Sequence, residues 1–310
     1  MNRLRIGSRG SKLALWQAEH IRERLARECG ADAEIVVIKT LGDNFQSAPV
    51  AEIGGKGIFI KEIEDALLDG RVDVAVHSMK DVPTQTPRGL CFPAITKRED
   101  PRDCLVSRRG ETLDNLPHGA RIGTSSLRRQ SQLAYFRRDL RVIELRGNVD
   151  TRLRKLAAGE FDAIVVAKAG LDRLGLSDKI TQVIPQEIIL SAVGQGALAI
   201  ETLERGESLR AMLSEFDDRE TRAAVAAERA LLAELEGGCQ VPLGAWARIE
   251  NGALRMDARV LAADGSECIE RSAEGPSSNA EETGRRLARD LLDAGADRLL
   301  RLAGRSVGGI

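Results

Sequence analysis

The sequence predicts an α/β protein built as two similar blocks followed by a smaller α+β domain. Three observations carry this. Short β-rich runs alternate with helical runs from residue 4 to about 96, the alternation restarts near Cys104, and after Gly196 it gives way to a long helix, three alternating strands and a last helix. Such alternation is the mark of parallel sheets with helices on their faces. A chain of 310 residues also exceeds a single core, which stops growing at roughly 250 to 300 residues.

In order, 4–8 reads as a strand, 12–28 as a helix with Ser11 as its cap, and 33–39 as a second strand. Glycine, proline and small polar residues then dominate Gly42 to Pro49 and Gly54 to Gly57, a long surface loop of the kind that carries function. A helix over 58–68 and strands over 72–76 and 90–96 complete the first block. The charged run Lys97-Arg98-Glu99-Asp100-Pro101-Arg102 reads as a linker. The second block holds strands over 105–107, 121–123, 142–145 and 163–167, with helices over 126–136 and 149–158. Beyond it, 197–201 adds a strand, 219–235 a helix, 245–249, 253–262 and 266–272 three strands, and 281–302 a single long helix.

Composition narrows the function. Apolar residues at 43% and charged residues at 30% describe a globular protein, and no apolar run approaches the roughly 20 residues that span a bilayer. The first residues lack a signal-peptide core, so a cytoplasmic location is expected. A net charge of −1 and an aromatic content of 3% exclude binding of nucleic acid through bulk positive charge or a stacking platform. Any anion recognition must be local. Five scattered cysteines without CxxC spacing predict free thiols rather than a disulfide framework or structural zinc, and no metal site is expected.

One of those thiols has an unusual setting. Glu236-Gly237-Gly238-Cys239-Gln240-Val241-Pro242-Leu243-Gly244 cannot be regular helix or strand, so Cys239 is presented at a helix-to-strand corner where another molecule can reach it. A small buried hydrophobe is the alternative reading.

Ligands of open α/β sheets sit outside the carboxyl ends of the strands. There the sequence places Arg9 and Ser11, His77-Ser78-Met79-Lys80-Asp81, Thr124-Ser125-Ser126-Leu127-Arg128-Arg129, Arg146-Gly147-Asn148 and Lys168. Hydroxyls and helix N-termini flanked by arginines form an anion site, which several carboxylates or phosphates would fit. Taken singly, Thr124-Ser125-Ser126 also reads as a helix cap, the arginines as solvated faces, Asp81 as a turn residue and His77 as a packed neutral histidine. Convergence favours the site.

His77-Ser78-Met79-Lys80-Asp81-Val82-Pro83, Gly123-Thr124-Ser125-Ser126-Leu127-Arg128-Arg129, Leu145-Arg146-Gly147-Asn148, Ala192-Val193-Gly194-Gln195-Gly196 and the Cys239 segment together resemble the porphobilinogen deaminase (hydroxymethylbilane synthase) family, in its order and across nearly the whole chain. The resemblance implies two domains similar to type II periplasmic binding proteins with a cleft between them, and a third domain. It places 1–96 with 197–216 in the first, 102–192 in the second and 219–310 in the third. It also implies a dipyrromethane cofactor held by Cys239 through a thioether and made from the substrate, porphobilinogen. Four substrate units then join head to tail with loss of ammonia, and water releases hydroxymethylbilane, which passes to uroporphyrinogen-III synthase for tetrapyrrole biosynthesis.

Asp81 matches the catalytic carboxylate. By the same resemblance Ser78, Lys80, Asp81, Thr124, Ser125, Ser126, Arg128, Arg129, Arg146 and Gly147 contact the cofactor. Arg9, Ser11, Gln17, Lys56, Arg146, Arg152, Arg173 and Gln195 handle substrate and growing chain. No membrane or nucleic-acid partner is implied, and a monomer is expected. Lys12 and Glu52 depart from the residues usual in relatives, at the first helix's entry and in the long loop. Two other classes remain compatible with the residues: a two-lobed small-molecule sensor, which gives Asp81 and Cys239 no role, and a thiol-nucleophile enzyme, for which only His20, His77 and His118 offer a base.

Overall fold

The structure, a computed structural model, describes residues 3–40, 60–235 and 241–307. The first sheet consists of β1 (Leu4–Ser8), β2 (Ala33–Val37), β3 (Val74–Ser78), β4 (Leu90–Ile95) and β10 (Leu198–Leu203), in the order β2-β1-β3-β10-β4. The second holds β5 (Asp103–Ser107), β6 (Arg121–Gly123), β7 (Arg141–Ile143), β8 (Ala163–Ala167) and β9 (Gln182–Val183), in the order β7-β6-β8-β5-β9.

Helix α1 (Lys12–Cys29) shows how local chemistry builds the first lobe. Ser11 caps it by accepting the Ala14 N–H at 3.3 Å, and Gly30 ends it in the left-handed conformation. Between these signals Ala18, Ile21 and Leu25 recur at helical spacing and pack on Ile6, Val74, Val76, Leu198 and Ile200. Each such aliphatic side chain stabilises the lobe by roughly 1.5 to 3 kcal/mol on burial. The other α-helices among the described residues of the two lobes are α2 (Lys61–Leu68), α3 (Leu127–Phe136), α4 (Val149–Ala157), α5 (Lys168–Arg173) and α6 (Glu207–Ser214).

The sheets are mixed where alternation predicts parallel ones. β10 runs antiparallel to β3 and β4, and β5 antiparallel to β8 and β9, while the β1–β2, β1–β3, β6–β7 and β6–β8 pairs are parallel. The physical reason is connectivity. β10 reaches the first sheet after the second has been built, and β5 leaves the linker with no crossover helix before it, so neither belongs to a βαβ unit.

In the last third, β11 (Leu243–Glu250), β12 (Ala253–Leu261) and β13 (Cys268–Pro276) form an antiparallel sheet. Its apolar face packs on α7 (Arg219–Glu234) and α8 (Ala280–Asp293). The single helix expected over 281–302 is two, because Gly295, at φ 91°, turns the chain between α8 and α9 (Ala296–Val307).

Two chain crossings join the lobes, near 96–102 and 191–197, and Glu228 of α7 ties both to the third sheet. Fully buried, it accepts Arg98 Nη1 at 2.6 Å, the Gly194 N–H at 2.6 Å and the Ala247 N–H at 2.8 Å. Arg98 in turn donates from Nε to the Gln195 carbonyl at 2.7 Å. Removing one partner of such a buried pair costs about 3 to 5 kcal/mol.

Candidate active site

The first wall of the site begins at the end of β3. The chain leaves the sheet through one tight turn, Met79–Asp81, whose Met79 N–H donates to the Ala197 carbonyl at 3.0 Å. Gly194, at φ 70°, crosses directly over this turn, and a Cβ there would stand 2.8 Å from Met79 Cγ and 3.2 Å from the Lys80 nitrogen. Only glycine fits that approach.

The turn carries Asp81 into the open. Among the described residues the Asp81 carboxylate makes no ion pair, and it shares a cavity with Arg9, Ser11, Gln17, His77 and Ser78. Gln17 donates to Ser78 Oγ at 2.9 Å, which fixes that hydroxyl at the cavity wall. Beneath it, His77 Nε2 lies 2.9 Å from Glu201 Oε2, both buried. His77 is therefore packed, but with a carboxylate partner that the sequence alone does not reveal. Lys80 is half-buried and, among the described residues, meets only the Gln195 carboxamide oxygen at 3.4 Å. Burial pushes its ammonium down to about 8, against the opposing pull of Asp81 and Asp103.

The second wall starts at α3. Ser126 occupies the cap position without capping, and Thr124 Oγ1 instead accepts the Ser126 N–H at 3.3 Å. The positive N-terminus of a ten-residue helix is thus left without a side-chain cap, beside the exposed Ser125. Arg128 and Arg129 follow on the first turn, both buried. Arg128 Nη2 pairs with Asp103 Oδ2 at 2.8 Å and Arg129 Nη2 with Asp103 Oδ1 at 2.7 Å. Burial opposes ionisation of Asp103, but the two arginines outweigh it and hold the carboxyl far below its usual range.

Arg152 stands apart. Its Nε donates to the Gly147 carbonyl at 2.8 Å, no carboxylate among the described residues lies within ion-pair distance, and burial lowers it to about 10 with Arg129 adding repulsion and Asp81 attraction. Arg146, just before Gly147, is bonded to Glu144 at 2.6 Å. Arg173 pairs with Glu99 at 3.0 Å and donates to the Gly196 carbonyl at 2.8 Å, so it clasps the crossings between the lobes.

Gln195 joins the walls. Its Nε2 donates to Asp103 Oδ1 at 2.8 Å and to the Pro101 carbonyl at 2.7 Å, while its oxygen receives Lys80. The structure thus brings Lys80, Gln195, Arg128 and Arg129 onto one network, and Arg9, Ser11, Gln17, Ser78 and Asp81 around one cavity. Lys56 and Cys239 lie outside the described residues. Asp103 and Glu228 are absent from the sequence reading; the available signal was a lone acid heading an apolar strand, and another on an apolar helix stripe.

Family models match both parts of this architecture: the porphobilinogen deaminase dipyrromethane-cofactor-binding domain over residues 4–211, and the porphobilinogen deaminase C-terminal domain over residues 222–293. The chain belongs to the porphobilinogen deaminase family. It is 50% identical over 299 residues to the porphobilinogen deaminase of Pelotomaculum thermopropionicum, covering 96% of both chains. To that of Nitratidesulfovibrio vulgaris strain DP4 it is 54% identical over 303 residues, covering 97% of this chain and 96% of the relative. A solved periplasmic substrate-binding protein of an ABC transporter from Coxiella burnetii matches 69% of this chain and 91% of its own at 15% identity and a TM-score of 0.42.

The donors present fit the cofactor for which the porphobilinogen deaminase domain is named. A dipyrromethane built from two porphobilinogen units carries an acetate and a propionate on each ring, and anions of that kind call for guanidinium and helix N–H donors. Arg129 Nε is buried and lacks a hydrogen-bond partner among the described residues, and α3 begins without a side-chain cap. No described helix is long and apolar enough to cross a membrane.

Proposed function

We propose that this chain is a hydroxymethylbilane synthase. It condenses four porphobilinogen units head to tail onto a dipyrromethane primer held by Cys239, with loss of one ammonia per unit, and releases the linear product with water. The observation that carries the reading is Asp81: an exposed carboxylate at a strand end, without an ion-pair partner among the described residues, next to a lysine that also feels the buried Arg128 and Arg129.

When bound, the primer supplies the nucleophilic pyrrole carbon. The protein's own groups do the rest. Loss of ammonia from porphobilinogen leaves an electron-poor methylene carbon conjugated to the pyrrole, and a carboxylate at the ring N–H stabilises that cation and takes up the proton released on bond formation. We assign Asp81 this role, since its carboxylate is exposed at the cavity and has no ion-pair partner among the described residues. Lys80, Ser78, Thr124, Ser125, Ser126, Arg128 and Arg129 bind the primer's carboxylates, with Arg146 and Gly147 at the edge. Arg9, Ser11, Gln17, Lys56 and Arg152 receive the incoming unit and the growing chain, with Arg173 and Gln195 supporting them from the crossings between the lobes. Arginine suits this because its planar fork grips a carboxylate at two points. The enzyme acts as a cytoplasmic monomer and hands its product to uroporphyrinogen-III synthase.

The test is intact mass. The purified protein should carry a covalent addition of two pyrrole units, gain further units on exposure to porphobilinogen, and lose both the addition and the activity in Cys239→Ala. Ordinary turnover by Cys239→Ala would sink the assignment.

A further inference from the structure

Asp103 opens the otherwise apolar strand β5 and has no exposed surface. A buried carboxylate survives only when its charge is answered, and one arginine would answer it. Here three side chains converge: Arg128 at 2.8 Å, Arg129 at 2.7 Å and the Gln195 carboxamide at 2.8 Å. Each arginine is also pinned at its other nitrogen, Arg128 Nη1 to the Leu190 carbonyl at 2.6 Å and Arg129 Nη1 to the Val165 carbonyl at 3.2 Å. Two anchor points fix a planar guanidinium in orientation. Its other N–H groups remain for a ligand, and among them is the unpartnered Arg129 Nε.

Charge supports the same conclusion. One anion beside two cations leaves a net positive site, and the adjacent guanidinia repel each other unless something holds them together. Side chains with this much rotamer freedom would otherwise be ordered only as a ligand bound, at a cost in affinity.

We propose that Asp103 is the positioning residue of the arginine pair: it sets both guanidinia in one orientation before the dipyrromethane arrives, leaves Arg129 Nε–H open, and through Gln195 couples that arrangement to Lys80 on the other lobe. The inference rests on the reading that Arg128 and Arg129 bind the primer's carboxylates. Asp103 itself touches no ligand. It acts through the arginines.

The experiment uses apoprotein of the parent, Asp103→Asn and Asp103→Glu, made in cells that cannot form porphobilinogen. Each is mixed with porphobilinogen across a pH series, covalent loading is followed by intact mass, and melting is recorded separately. Asp103→Asn should load roughly 10 to 100 times more slowly, the range expected for a small misplacement of binding groups. Its alkaline limb should also move to lower pH. Lys80 faces Asp81 from its own turn, Asp103 from β5, and Arg128 and Arg129 from α3, so losing Asp103 removes an anion and leaves both cations. Asp103→Glu keeps the charge but displaces the pair, so its limb should stay in place while loading slows.

Parent-like rates and limbs in both variants would overturn the proposal. So would a slowdown that vanishes once the assay is cooled well below the variant's melting transition, because Asp103 would then serve the fold alone. If Asp103→Asn does not fold, the rate of Asp103→Glu decides. A parent that gains no mass sinks the proposed activity, and this inference with it.

Discussion

The two lobes place cations at corresponding strand ends and treat them in opposite ways. Lys80 follows β3, the middle strand of the first sheet, and among the described residues finds only a carboxamide at 3.4 Å; Lys168 follows β8, the middle strand of the second, and is bonded to Asp172 at 2.5 Å with Asp100 at 4.0 Å. The same contrast runs through their neighbours. On the second lobe Arg128 and Arg129 are answered by Asp103, whereas on the first Asp81 faces the cavity without an ion pair among the described residues. Charges that neutralise one another stabilise a wall and hold a shape. An uncompensated charge at a cavity costs stability and persists where it acts on a ligand. The first lobe is thus suited to chemistry and the second to anchoring.

The sharpest way to break this comparison is Asp81→Asn. Removing a charge aimed at a developing cation costs on the order of 10²- to 10³-fold in turnover, while the melting temperature should stay near the parent's, because no described partner is stranded. Turnover within a few-fold of the parent would remove Asp81 from the chemistry and with it the distinction between the lobes.

Next in size is a contrast within the second lobe. Arg129→Leu leaves Asp103 buried with one guanidinium, and should lower stability by about 3 to 5 kcal/mol in denaturant titrations. Arg152→Leu removes only a bond to the Gly147 carbonyl. Its stability should fall by about 1 kcal/mol or less, yet partially elongated adducts should accumulate in its mass spectrum. Equal stability losses in the two variants would erase the difference between anchoring and handling arginines.

What was legible in the sequence follows the range of the interactions. Ser11 caps α1 through a contact within one turn, and Asp81 lies just before Val82-Pro83, so local reading finds the helix start and offers a turn at Asp81. Asp103 is different. Its partners lie 25, 26 and 92 residues further along the chain, and beside Arg102 it looks like the end of a charged linker. Glu228 sits at helical spacing with Ala224 and Leu231, so the stripe predicts a buried face but not the backbone N–H groups of Gly194 and Ala247 that require an acid there. Strand direction escapes for another reason. Periodicity is the same whichever way a strand runs, and only the route of the chain decides that β10 opposes β3.

The smallest expected effect tests the first lobe's exposed charge balance through stability alone. Lys80 holds its proton in the unfolded chain up to its ordinary 10.5, but in the fold burial pulls it down to about 8. Between those values the unfolded state binds the proton and the folded state does not, so folding stability rises with pH across that window. Below about 8 both states are protonated and the penalty of keeping a charged ammonium between the lobes is constant. Lys80→Met carries no such group. The stability difference between parent and Lys80→Met should therefore be flat below pH 8 and shift in the parent's favour above it, read from denaturant midpoints at matched ionic strength. A flat difference for Lys80 through the whole window would mean that the first lobe's lysine is as well answered as the second's, and that the asymmetry between the walls rests on Asp81 alone.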